Sequence, residues 1–261
     1  MNTILGQFIP VDSIIHRLDP RTKMIIVFFS IIVLFVAKTF WSFIPAIIFV
    51  LLIMALSNVG FGVYFKGLRT ILFLLIFSII LQLIFTDGQP VYFQWWIFRV
   101  TGTGLYNSAI VVIRLILIVL MTTVLTATTK PTLIASGLES ILNPLKKIGV
   151  PVATFAMMMS IALRSIPILN NQLQKIIKAQ QSRGINFSSG GLITRIKNVI
   201  PLIIPMFVGS INQAFDLADS MIVRGFVDAD DRTRYRQLKY QRNDIAAFLI
   251  FVAMAFLVIV I

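Results

Sequence analysis

The chain has 261 residues, of which 58% are hydrophobic and only 13% charged, and its formal net charge is +13. Soluble domains have about 45–50% apolar and about 25% charged residues, so this composition indicates an integral membrane protein. The sequence contains no cysteine and one histidine, His16, which excludes disulfides and thiolate metal sites and argues against a metal cluster. The positive charge does not require nucleic acid, because membrane proteins collect Lys and Arg on their cytoplasmic side and no nucleic-acid-binding motif accompanies it.

Five apolar segments are predicted to be transmembrane helices, since about twenty apolar residues span a bilayer. The first is short and is expected to extend beyond one of its ends, and the fourth contains Arg114. In chain order the segments are 24–37, 43–56, 68–85, 105–127 and 245–261.

The basic residues predict the orientation of these spans. With the N-terminus inside, the inner segments hold twenty Lys and Arg residues, whereas the outer segments hold only Lys38 and Arg99. Such a bias places the N-terminus in the cytoplasm of a multi-pass cell-membrane protein and, after five spans, the C-terminus outside. The outer segment 86–104 carries the aromatic run YFQWWIF, which suits a membrane interface, and we expect a small surface hairpin there.

The segment from 128 to 243 holds fifteen of the basic residues. Its stretches 150–169 and 193–215 are nearly apolar but contain Arg164 and several prolines. We favour long amphipathic helices near the inner membrane surface, although hydropathy alone does not separate these from a pair of extra spans. Breaks and kinks between the helices are expected at five prolines: Pro144, Pro151, Pro167, Pro201 and Pro205.

The predicted fold is therefore an all-α membrane protein with about five transmembrane helices and long amphipathic cytoplasmic helices. We divide the chain into N-terminal transmembrane helices 1–4 (1–127), a cytoplasmic region (128–243) and a C-terminal transmembrane helix (244–261).

Two Arg-Gly pairs, Arg183-Gly184 and Arg224-Gly225, each follow a long helix-like stretch in the cytoplasmic region. They end two fourteen-residue segments, 171–184 and 212–225, that also share an Asn-Gln start. One interpretation is a helix cap, because Gly accepts the left-handed conformation and Arg suits the negative end of the helix dipole. The other is docking, because a guanidinium at a helix tip grips a carboxylate through two parallel hydrogen bonds. Two such tips would suit two acidic grooves on two similar partner subunits.

These residues give the chain a resemblance to a known family. HRLDPRTK (16–23) precedes the first span, and the paired tips read SRG (Ser182–Gly184) and VRG (Val223–Gly225). Together they resemble the transmembrane T component of energy-coupling factor (ECF) transporters over essentially the whole chain. The family's tips usually read Ala-Arg-Gly or Ala-Arg-Ser, so Ser182 and Val223 depart from the pattern at its first position.

The resemblance implies a scaffold subunit with transmembrane helices and cytoplasmic coupling helices. Arg183 and Arg224 would sit in grooves on two ABC-type ATPases, with Gly184 and Gly225 as structural companions. ATP would bind to those partners, and this chain would carry no cofactor, no catalytic residue and no metal. A small membrane S component would capture the substrate, for which we expect a vitamin or related micronutrient, and pack against the coupling helices.

The three consecutive methionines Met157, Met158 and Met159 lie on one of the predicted amphipathic helices. They are interpreted either as adaptable core filling or as a docking surface for exchangeable S components, since flexible side chains repack against different partners. Arg114, inside the fourth span, costs at least about 2.5–3.5 kcal/mol on insertion scales. We expect it to snorkel or to bond a protein carbonyl, with a role in substrate passage as the alternative.

Other functions fit the residues less well. A conventional ABC importer permease, which forms its own translocation path, is the main alternative, but two tips in one chain favour one subunit engaging two ATPases. A lipid-modifying enzyme would need clustered His, Asp or Ser near the spans, and a stand-alone carrier would show broken or charged helices at mid-membrane in related halves.

Overall fold

The computed structural model describes residues 8–86, 90–95, 98–185, 187, 191–226 and 240–261. These ranges are almost entirely helical, which confirms the predicted all-α membrane class, apart from one short antiparallel hairpin in the loop where a hairpin was expected. In chain order the elements are α1 (Ile14–Arg17), α2 (Pro20–Val36), α3 (Phe43–Ser57), α4 (Phe61–Phe85), β1 (Val91–Trp95), β2 (Phe98–Thr101), α5 (Gly102–Thr128), α6 (Pro131–Leu142), a 3-10 helix (Asn143–Ile148), α7 (Val152–Ser182), α8 (Leu192–Val223) and α9 (Arg242–Val260).

The five predicted spans correspond to α2, α3, α4, α5 and α9. The largest difference is at α4, which begins at Phe61, ahead of the predicted 68. Lys66 interrupts the apolar run without interrupting the helix, because its side chain points away from the packed interior and is exposed.

Length and composition select a different group of five helices as able to cross a membrane: α4, α5, α7, α8 and α9. Helices α2 and α3, with 17 and 15 residues, are shorter than the roughly twenty residues that a bilayer requires. Helices α7 and α8 pass on length, yet they segregate apolar from polar residues more strongly than any of the predicted spans. The chain is a multi-pass membrane protein, and the placement of α7 and α8 at the cytoplasmic surface remains a prediction.

The chain divides into two compact units. The bundle unit comprises Gly6–Gly137 and Leu238–Ile261, and the coupling unit comprises Leu138–Gln237. In the bundle unit, α2 and α3 each pack against α5 and α9, and α4 packs along α5. Its core is apolar and closely packed; fully buried members include Leu34, Phe43, Val50 and Met121.

The coupling unit contains α7 and α8 as an antiparallel pair. Gln180, near the end of α7, donates to the Pro201 carbonyl near the start of α8 (3.5 Å), whereas Met157 and Met221, at the other ends of the two helices, line one groove. The side-chain amide of Gln172 lies directly against Gly209 midway along the pair, so a larger residue at 209 would displace that side chain.

Three of the expected helix breaks are wrong. Pro167 lies inside α7, and Pro201 and Pro205 lie inside α8, so both helices continue through them. A proline removes one backbone hydrogen bond from a helix, and long packed helices continue where the remaining bonds and the neighbouring helix hold the chain. Pro144 and Pro151 do lie between helices, in the 3-10 helix and at the cap of α7.

Candidate functional site

The two Arg-Gly pairs end their helices with the same backbone conformation. Helix α7 ends at Ser182 and helix α8 at Val223, so the arginines that follow are the capping residues. The next residues, Gly184 and Gly225, have φ of +89° and +73°, the left-handed region that glycine enters without steric cost. We call Ser182–Gly184 the first tip and Val223–Gly225 the second tip.

Both tips are Schellman motifs, in which two backbone N–H groups beyond the helix satisfy two of its last carbonyls. The residue after the glycine is apolar in both tips and donates to the carbonyl five residues earlier. The four bonds are Gly184 to Gln181 (2.9 Å), Ile185 to Gln180 (3.1 Å), Gly225 to Ile222 (2.9 Å) and Phe226 to Met221 (3.0 Å).

A third cap of this kind shows what the arginine does not do. Gly149, which follows the 3-10 helix, has φ of +87°. It donates to Lys146 (3.1 Å), and Val150 donates to Leu145 (3.4 Å). The residue in the arginine position is Ile148. The glycine is therefore what the cap needs, and an arginine before it is not required by the backbone.

The guanidinium groups at the tips are available to a partner. Arg183 and Arg224 are exposed, and neither side chain makes a hydrogen bond or an ion pair with the part of the chain that the structure describes. The flanking Ser182 hydroxyl is occupied, because it donates to the Lys178 carbonyl (3.1 Å). Val223 is 87% exposed, so the second tip presents an apolar side chain beside its charge.

The antiparallel pairing of α7 and α8 places the two tips at opposite ends of the helix pair. The second tip lies beside Met157, and the first tip is 26 residues further along α7. With a rise of about 1.5 Å per residue, the two arginines are roughly 40 Å apart along the pair. A single compact ligand does not reach both tips, whereas two separate partner surfaces do.

A groove of about 250 Å³ adjoins the second tip, between the first turns of α7 and the last turns of α8. Arg224 and Arg164 both line it, together with the hydroxyl-bearing Ser160 and Ser220. The other lining residues are apolar: Met157, Ile161, Leu217, Met221 and Phe226. In the sequence, Arg164 is recognisable only as an interruption of an apolar stretch; the pairing of α7 with α8 brings it to the site.

The three methionines do not form one surface. Met157 is half-buried and lines the groove, whereas Met158 and Met159 are 59% and 41% exposed. Consecutive helical residues point about 100° apart, and neighbours on one face are three or four residues apart. Phe155, which is 66% exposed, therefore shares a face with Met158 and Met159 and belongs to any docking surface built on them.

Arg114 has a structural role, which confirms the expected bond to a protein carbonyl. Its Nε donates to the Leu34 carbonyl (2.9 Å) and its Nη2 to the Ala37 carbonyl (2.8 Å), both at the C-terminal end of α2. The guanidinium also lies over the rings of Phe35 and Phe43, 5.3 and 5.9 Å from their centroids. The positive charge therefore satisfies the negative end of the α2 dipole.

The HRLDPRTK segment forms a buried junction in the bundle unit. Asp19 caps α2 by accepting from the Arg21 N–H (2.9 Å), and its own N–H donates to the Asp244 carboxylate at the start of α9 (2.8 Å). The Lys23 ammonium donates to the Thr128 carbonyl (3.2 Å) and the Thr129 hydroxyl (3.3 Å) at the end of α5. The segment thus joins α2, α5 and α9.

His16 belongs to the same junction and not to a ligand site. Its Nε2 donates to the Ile9 carbonyl (3.1 Å), and its Nδ1 therefore accepts from the Ser13 hydroxyl (2.7 Å). Burial lowers the pKa of His16, which favours the neutral form of the ring. Within the described ranges, no group of three or more metal-binding side chains is present.

The comparisons with known proteins cover nearly the whole chain. Residues 12–235 match the family model CbiQ, described as "Cobalt transport protein". The chain is 51% identical over 247 residues to the energy-coupling factor transporter transmembrane protein EcfT of Leuconostoc gelidum subsp. gasicomitatum, which covers 95% of this chain and 92% of that protein. It is 41% identical to the EcfT protein of Limosilactobacillus fermentum (97% and 95% covered) and 40% identical to that of Lactococcus lactis subsp. cremoris (99% and 97% covered). The chain therefore belongs to the family of energy-coupling factor transporter transmembrane proteins.

Proposed function

We propose that this chain is the scaffold of an ATP-driven importer and couples two ATPase subunits to an exchangeable S component. The observation that carries the proposal is the pair of matching caps, each of which holds an exposed arginine that makes no ion pair with the described residues. Arg183 and Arg224 would each enter a groove on one ATPase. The separation of roughly 40 Å along the helix pair suits two partners and explains why the chain needs two tips.

The remaining parts of the proposal follow from that role. ATP binds and is hydrolysed on the partner subunits, and this chain contributes no catalytic residue or cofactor. The N-terminus and the tips face the cytoplasm, where the basic residues concentrate. Phe155, Met158 and Met159 form an exposed apolar patch that suits an S component, and the substrate is a vitamin or related micronutrient.

A paired charge reversal tests the coupling role. Arg183→Glu combined with Arg224→Glu replaces both guanidinium groups by carboxylates, which acidic grooves on the ATPases would repel. We expect ATPase subunits to be lost from the purified complex and uptake to fall to background, while the chain still inserts into the membrane. The measurement is the ATPase content of the complex after affinity purification, together with substrate uptake by cells.

The matched control is Lys147→Glu combined with Lys175→Glu, which changes the net charge equally at exposed positions away from the tips. This control should retain the ATPases. Normal assembly and uptake in the tip variant would refute the proposal, and equal losses in both variants would attribute the effect to overall charge.

A further inference from the structure

Among the described residues, the groove beside the second tip is lined by two positively charged side chains and by no negatively charged one. Neither Arg164 nor Arg224 makes an ion pair with the described residues. Among the described acidic residues, the two on α8 that are closest to Arg224 in sequence, Asp216 and Asp219, do not line the groove. Two like charges that share a concave site repel each other, so the groove favours a ligand that brings negative charge.

The cap itself shapes the wall of this groove. The left-handed turn at Gly225 sends the chain back, and the Phe226 N–H bonds to the Met221 carbonyl (3.0 Å). Phe226 consequently lines the groove with Met221 and Leu217, beside the guanidinium of Arg224. The occupant must therefore combine a negative group with apolar surface.

Size and position indicate a protein side chain as that occupant. The groove volume of about 250 Å³ is below the roughly 300–1,000 Å³ of ordinary small-molecule pockets. The groove is also continuous with the second tip, the surface proposed above for an ATPase subunit. An aspartate or glutamate would bind both guanidiniums, because planar carboxylates match the donor fork of arginine. An apolar residue beside it would pack against the apolar residues that line the groove.

We propose that Arg164 and Arg224 together bind a carboxylate-bearing segment of the ATPase that engages the second tip. The inference rests on the proposed coupling function and adds Arg164 as a docking residue, on a different helix from the tip itself. The contact between the second tip and its ATPase is then built from both helices of the coupling unit. It forms only when α7 and α8 are paired in the observed register.

The test is a double-mutant cycle on the complex of this chain with its co-expressed ATPases in neutral detergent. Arg164→Ala should weaken ATPase binding about ten-fold, the size expected for a partly exposed charge pair. It should have little further effect in an Arg224→Ala background, where the carboxylate has already lost one partner. In an Arg183→Ala background it should keep its full effect, since distant sites act additively. Lys175→Ala, at another exposed cation of α7, should leave binding unchanged.

Each alternative outcome overturns the inference in a distinguishable way. If Arg224→Ala weakens binding and Arg164→Ala does not, Arg164 is no docking residue and the coupling function stands. If Arg183→Glu with Arg224→Glu retains both ATPases, the coupling function itself fails. If the Arg164 effect appears only in nanodiscs containing an anionic phospholipid, the groove binds lipid. Full additivity with Arg224→Ala would indicate a general structural effect. So would the same loss in Arg164→Met, which keeps a long unbranched side chain without the charge, if its thermal midpoint is also lowered.

Discussion

At the scale of single residues, the glycine and the arginine of each tip have separate roles. The glycine supplies a backbone conformation that other residues reach only with strain, and the arginine supplies a charge that the cap does not use. Ile148 before Gly149 demonstrates this independence, because the same cap forms without a charge at the position before the glycine. Selection for docking can therefore act on the arginine without affecting the helix end.

Gly225→Ala tests the contribution of the left-handed turn. A Cβ at this position would meet no atom of the described residues within 4 Å, so the change is expected to act on backbone strain, worth about 1–2 kcal/mol. We expect the end of α8 to loosen and ATPase binding at the second tip to weaken several-fold, although Arg224 remains. The measurement is ATPase affinity of the purified complex.

Gly62→Ala provides the control, because this glycine lies within α4 and also has open space around it. That variant should bind ATPases normally. Unchanged affinity in Gly225→Ala would show that the tip does not depend on a fixed cap.

The residue patterns predicted the caps because they depend on local sequence. A glycine after a helical stretch predicts a left-handed turn from a few neighbouring positions. Arg164 and Asp244 could not be assigned in this way. Arg164 reaches the groove through the register of α7 on α8, and Asp244 bonds a residue 225 positions away. Such contacts depend on tertiary packing, which one sequence does not encode in any local pattern.

At the scale of helices, Arg114 ties the middle of α5 to the end of α2. Its guanidinium donates two hydrogen bonds to carbonyls at the end of α2, where the helix itself supplies no further donors. Arg114→Ala should lower the free energy of unfolding by about 2–3 kcal/mol, because hydrogen bonds from charged donors are lost and carbonyls are left unsatisfied in an apolar setting. The thermal unfolding midpoint of the detergent-solubilised protein measures the effect.

Arg69→Ala serves as the comparison, since Arg69 is exposed on α4 and makes no bond in the described part of the chain. Its midpoint should stay within error of the parent. Equal midpoints for both variants would show that the Arg114 bonds contribute nothing to stability.

Helix positions followed from hydropathy, but helix ends and prolines did not. Lys66 hid the first turns of α4, because an apolar window stops at a charge that a helix can direct outward. Pro201 and Pro205 suggested breaks in α8, because the cost of proline is local while the stabilisation by packing against α7 is not. In both cases the extent of the helix depends on packing against other helices, which a short stretch of sequence does not show.

At the scale of the whole molecule, the two units differ in how far their apolar residues are buried. The bundle unit has a closely packed core and a buried polar junction. In the coupling unit, by contrast, long rows of apolar residues on both helices are exposed, among them Phe155, Met158, Phe207 and Phe215. A soluble surface rarely exposes so much apolar area, so the coupling unit is suited to contact with partner proteins and lipid.

The buried junction gives a prediction for the bundle unit as a whole. The Asp244 side chain is almost completely buried and accepts from the backbone N–H groups of Asp19 (2.8 Å) and Gln241 (2.7 Å), and its charge opposes that of buried Lys23. Asp244→Ala would strand two donors and remove a counter-charge, for a loss of about 3 kcal/mol or more. Asp216→Ala removes an exposed carboxylate of α8 that makes no such bond in the described part of the chain, and it should leave the thermal midpoint unchanged. A stable Asp244→Ala protein would mean that apolar packing alone holds α9 to α2; a marked fall in its midpoint would show that the HRLDPRTK segment joins the two ends of the bundle unit through this carboxylate.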